Sequence, residues 1–107
     1  MAQLSQYVKG RSAENYLRDV CEAKGYAVIR SAQSKGSADL IAGDGIQVIL
    51  LQAKAWDSKL AKLNKEEEGA LMAKAKMFKA VPVFARKNQG RWEFLRLNET
   101  GYYPFVF

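Results

Sequence analysis

Histidine is absent from this chain of 107 residues, and that absence removes several kinds of chemistry at once. A Ser-His-Asp triad, a histidine-ligated nuclease metal and a Cys/His zinc site are all excluded. Cysteine is confined to Cys21, so no intrachain disulfide framework exists, which fits a reducing compartment. The stretch Met1 to Gln6 lacks the apolar core of a secretory signal. No apolar run approaches the ~20 residues of a membrane-spanning helix, and a cytoplasmic location is expected. No repeat, low-complexity tract or linker divides the chain. Any chemistry must come from carboxylates, amides, hydroxyls, lysines and a recruited metal.

What is present is positive charge. Seventeen Lys and Arg against eleven Asp and Glu give a formal net charge of +6. Such a surplus points to a polyanionic partner, nucleic acid before a membrane surface. The length suits one domain, residues 1–107, with a single core.

Helical periodicity runs from about Ser5 or Ser12 to Lys24, with Ala13, Leu17, Val20 and Cys21 on one face and Gly25 as a stop. Residues 26–30 read as a strand and 31–37 as a polar loop. Two strands then meet around the turn Gly43-Asp44-Gly45. The second is almost unbroken in apolarity from Ile46 to Leu51, as a central strand covered on both faces would be. Asn64-Lys65-Glu66-Glu67 has the form of an N-cap with an acidic N3 residue, opening a helix to about Lys79. Strands at 81–86 and 91–97 follow, separated by a turn at 87–90. The order α-β-β-β-α-β-β predicts an α/β sandwich around a mixed five-stranded sheet.

The hairpin places Asp39 at one sheet edge beside Gln52 and Lys54, which share a strand face at i and i+2. A carboxylate, a neutral amide oxygen and an ammonium, with the backbone carbonyl of Ala53 between them, are groups that hold Mg²⁺ and a scissile phosphate. Lys54 would orient the attacking water or neutralise developing charge. Glu14, on the first helix, is the candidate for a further acidic group. The same spacing also suits solvated strand ends. The segment from Arg30 to Ser37, with Ser34 and Lys35, offers groups used in phosphate-backbone contacts or simply forms a connection. Lys9 and Arg11 admit the same two readings, and Lys59, Lys62 and Lys65 form a basic flank or a solvated face. Core packing or a subunit contact suits the C-terminal aromatics Trp92, Phe94, Tyr102, Tyr103, Phe105 and Phe107 better than base stacking. Leu71, Met72, Ala75 and Phe78 make the second helix a candidate dimer element.

Taken in order, Lys9-Gly10-x-x-Ala13-Glu14, Gly25 to Ala32, Ser34-Lys35, Asp39 to Gly43, Gln52-x-Lys54, Val81-Pro82-Val83 and Arg91-Trp92-x-Phe94 resemble the archaeal-type Holliday junction resolvases. The resemblance covers nearly the whole chain. It implies a restriction-endonuclease-like (PD-(D/E)XK) core, dependence on Mg²⁺ (with Mn²⁺ as a substitute) and a homodimer making paired nicks across a four-way DNA junction. It further implies that Glu14, Asp39, Gln52, Lys54 and Ser34 are catalytic, with Asp39, Gln52, Glu14 and the Ala53 carbonyl around the metal. Arg30 and Ser34 would lie near the scissile phosphate, and Lys9, Arg11 and Lys35 would meet DNA. One departure stands out: the family pattern has glutamate where this chain has Gln52. An amide oxygen still coordinates a metal, so retained activity is expected. The alternatives are a nuclease for other branched or mismatched DNA and a catalytically silent junction-binding dimer.

Overall fold

In the computed structural model, the described residues are 6–30, 39–57 and 62–107, with side chains from 14–30, 39–54 and 62–107. Helix α1 (Gln6–Ala23) precedes strands β1 (Ala27–Arg30), β2 (Leu40–Gly43) and β3 (Val48–Asp57). Helix α2 (Lys65–Met77) then leads to β4 (Val81–Asn88), β5 (Arg91–Asn98) and β6 (Gly101–Pro104). The six strands form one sheet in chain order. Every neighbouring pair is antiparallel except β3 and β4, which α2 joins as a crossover.

From Val48 onward the apolar run is explained by layers on both faces of β3, whereas Ile46 precedes the strand and is exposed. Ile49 and Leu51 pack with Leu17 and Cys21 of α1, while Leu50 packs with Leu71 and Ala75 of α2. Val83 and Ala85 of β4 join the α1 side and Phe84 the α2 side. Leu71 and Ala75 are thus committed to their own sheet. The large apolar residues that stand exposed there are Met77, the last of α2, and its C-cap Phe78. No helix among the described residues is long and apolar enough to cross a membrane.

Local signals set the element ends. At the end of α1 the Tyr26 amide donates to the Cys21 carbonyl and the Gly25 amide to that of Glu22, with Gly25 at φ +90°. This is the paired closure that a left-handed residue permits. At the β2–β3 hairpin the Asp44 carboxylate accepts from the amides of Ile46 and Gln47, so the turn is stabilised by its own side chain. In α2 the capping box is complete: Asn64 Oδ1 accepts from the Glu67 amide and Glu67 Oε1 from the Asn64 amide.

The sheet has one strand more than the five expected from sequence. The Asn98-Glu99-Thr100 turn returns the chain along β5, with Leu97 opposite Tyr102. Residues 101–104 are short, aromatic and end in Pro104, which an edge strand tolerates but which conceals its strand character in sequence. Trp92, Phe94, Phe105 and Phe107 pack on the α1-side core, and Tyr102 on the α2 side. Phe84 is fully buried and meets Tyr102 edge-on at 5.8 Å between ring centroids. Phe84→Ala is expected to remove about 3–5 kcal/mol of stability, read as a lower urea midpoint at an unchanged slope. A loss below about 1 kcal/mol would contradict this packing.

Candidate active site

The hairpin register pairs Leu40 with Leu51, and the last backbone bond runs from the Asp39 amide to the Leu51 carbonyl at 2.8 Å. Past this point β3 continues beside β4, as Gln52 opposite Phe84 and Ala53 opposite Ala85, while β2 has ended. The Ala53 amide would be left without a ladder partner here. It donates instead to Asp39 Oδ2 at 2.8 Å. A strand residue's N–H and C=O project to the same edge, so the Ala53 carbonyl lies on the Asp39 side of β3.

Gln52 and Lys54 follow Leu50 at two-residue steps and therefore face α2. Both meet one side chain there. Lys54 Nζ lies 3.0 Å from Glu67 Oε2, and Gln52 Nε2 donates to the same oxygen at 3.4 Å. A carboxylate only accepts, so the amide's NH₂ end must turn toward Glu67. The other end, Gln52 Oε1, is buried and has no hydrogen-bond partner among the described residues. The Lys54 side chain is about a fifth exposed. Hydrogen bonds to charged groups shielded from water contribute about 1.5–3 kcal/mol, against ~0–1 for exposed ion pairs. The Lys54–Glu67 contact belongs nearer the first range.

Glu14 of α1 forms an ion pair with Arg30 of β1, its Oε1 3.2 Å from the Arg30 Nε. Its charge also reaches Asp39. The structure thus brings Asp39, Gln52, Ala53 and Lys54 together, with Glu14 and Arg30 paired alongside. Lys9 and Arg11 fall within α1, their side chains outside the described ones, and Ser34 and Lys35 lie outside the described residues altogether. Sequence reading missed Glu67 as a site residue. It was legible only as a helix cap, and its reach to Lys54 depends on how α2 packs on the sheet. The available signal was Lys54 itself, a half-buried cation that needs a counter-ion.

Burial raises the Asp39 pKa above the ordinary aspartate value. The Ala53 amide opposes this, the Glu14 charge adds to it, Lys54 lowers it and Glu67 raises it. Burial also raises Glu67, but the Asn64 amide and Lys54 together outweigh it and hold this carboxyl below its usual range. The two acids are therefore tuned in opposite directions, Asp39 as a strained anion and Glu67 as a settled one.

The oxygen donors suit a hard divalent cation. Asp39 supplies an anionic oxygen, Gln52 Oε1 is a buried acceptor with no partner among the described residues, and the Ala53 carbonyl lies on the Asp39 side of β3. No group of three or more His, Cys, Asp or Glu among the described residues is placed to hold a metal by itself. A single carboxylate with neutral oxygens matches the Mg²⁺ pattern in which substrate phosphates complete the coordination.

A raised folded-state pKa means that ionised Asp39 costs stability, and the cost grows as pH rises from the unfolded value through the folded one. In EDTA, Asp39→Asn is expected to melt above wild type at neutral pH, the advantage shrinking as pH falls toward the ordinary aspartate value and vanishing below it. Thermal melts across pH check this, and a variant that melts lower at neutral pH would contradict it.

The family model described as archaeal Holliday junction resolvase (Hjc) matches residues 5–104. The crossover junction endodeoxyribonuclease Hjc of Methanocaldococcus jannaschii is 38% identical over 90 residues, which span 84% of this chain and 67% of that protein. The 1.6 Å structure of Archaeoglobus fulgidus Hjc, a Holliday junction resolvase from an archaeal hyperthermophile, superposes with a TM-score of 0.70 at 25% identity. That match covers 85% of this chain and 82% of the other. With a family match over almost its full length and the Asp39, Gln52 and Lys54 edge in place, this chain belongs to the archaeal Holliday junction resolvase family.

Proposed function

We propose that this chain cuts phosphodiester bonds at four-way DNA junctions with the help of a divalent cation, Mg²⁺ or Mn²⁺, as a homodimer making paired symmetric nicks. The observation that carries this reading is the strand edge where Asp39 accepts the Ala53 amide, with Lys54 and the buried Gln52 Oε1, unpartnered among the described residues, at the neighbouring strand positions. When bound there, a cation would stabilise charge on the phosphate and acidify a water.

Asp39, Gln52 and the Ala53 carbonyl would hold the cation, with Glu14 close enough to add charge. Lys54 donates to the attacking water or to a phosphate oxygen, at a site that is partly closed to solvent. Burial makes such a fixed ammonium worth more than the same charge in water. Arg30, Ser34 and Lys35 lie beside Asp39 in sequence and would meet the phosphate flanking the cut, with Lys9 and Arg11 on the approaching strand. These are backbone contacts, so selectivity rests on junction shape rather than base sequence. Two equivalent cuts related by a two-fold axis suit a C₂ dimer.

The test uses end-labelled four-way junction and linear duplex of the same sequence, each with and without Mg²⁺. Metal-dependent, symmetric nicks in the junction alone are expected. Lys54→Ala should lower the rate about 10²–10³-fold, the size of removing one transition-state donor. Tight junction binding without nicking would overturn the catalytic reading, and equal cleavage of linear duplex would overturn the junction selectivity.

A further inference from the structure

Glu67 is engaged at both carboxylate oxygens. Oε1 accepts the Asn64 amide at 2.9 Å, and Oε2 takes Lys54 Nζ at 3.0 Å and Gln52 Nε2 at 3.4 Å. The first contact closes the N-terminus of α2; the other two leave the helix and enter the nuclease edge of β3. A helix cap requires only the first.

We propose that Glu67 is a positioning residue of the active site: anchored by the cap at one oxygen, it uses the other to hold Lys54 and the amide end of Gln52. The inference rests on the nuclease reading above. Gln52 is neutral and cannot balance the Lys54 ammonium two residues along the same strand face. Glu67 supplies that negative charge from the opposite layer. By taking the NH₂ end of Gln52 it also fixes the amide orientation, so the oxygen is the atom left for a cation. An amide free to rotate would present a donor half the time, and a donor repels a metal. Fixing both groups before substrate arrives is the kind of pre-organisation on which positioned catalysis depends.

Two substitutions separate this role from capping. Glu67→Gln keeps an N3 side chain able to accept the Asn64 amide but removes the charge. Asn64→Ala weakens the cap and leaves the Glu67 carboxylate in place. At saturating junction and well below the melting temperature, Glu67→Gln should lower kcat about tenfold or more, with junction affinity in EDTA within about threefold of wild type. Asn64→Ala should melt lower yet keep kcat within about threefold. Wild-type kcat in Glu67→Gln, or an equal loss in Asn64→Ala, would overturn the proposal.

A metal-free measurement tests the same contact without any cleavage. In EDTA, Gln52→Glu sets two carboxylates against each other and should melt below wild type. Adding Glu67→Gln to that variant should recover at least half of the loss, since the charge has then moved from one side of the contact to the other. Simple addition of the two losses would overturn the proposal. A wild-type protein that fails to nick at all would instead defeat the nuclease reading, and the melting cycle would still decide whether the Glu67 contact exists.

Discussion

The hydrogen bond from the Ala53 amide to the Asp39 carboxylate is the constraint on which the site depends. It lies where β2 stops and β3 runs on, so a side chain takes over from a backbone ladder. An unpaired strand amide is costly when water is excluded, and satisfying it with a carboxylate ties an acid to the place where β2 leaves β3. The same bond aligns the Asp39 oxygens with the Ala53 carbonyl edge and leaves Gln52 and Lys54 facing the other layer. The fold and the site are thus one arrangement.

Charge is distributed around that place with unequal comfort. Glu67 is held ionised by a helix-terminal amide and an ammonium, and helix N-termini favour anions in any case. Asp39 is buried close to further negative charge from Glu14 and Glu67, with Lys54 giving partial relief. A cation arriving at Asp39 relieves the less comfortable acid. Raised carboxyl pKa values of this kind are concentrated where structure is arranged for binding rather than for stability.

Much of this was legible in the sequence because it is local. The glycine turn at 43–45 fixes the hairpin, and once Gly43 pairs with Val48 the register carries Asp39 to the end of the pairing beside Gln52. The i, i+2 spacing of Gln52 and Lys54 sets their common face. Asn64 and Glu67 announced the start of α2. What escaped was non-local. Glu67 reads as a cap until α2 is laid on the sheet, because its second oxygen meets residues thirteen and fifteen positions earlier. The sixth strand escaped because its few residues carry no alternating pattern, and its pairing with β5 is decided by the turn at 98–101. Leu71 and Ala75, read as spare apolar surface on α2, turn out to fill the space over Leu50 and Phe84.

The central claim is that the Asp39, Gln52 and Ala53 edge binds a divalent cation. Titrating Mn²⁺ into ¹⁵N-labelled protein without DNA tests it most directly, since the ion broadens nearby amide resonances. The account expects broadening concentrated at the amides of 39 and 52–54 and at Glu67, and its loss in Asp39→Asn. Broadening centred elsewhere, or unchanged in that variant, would contradict it.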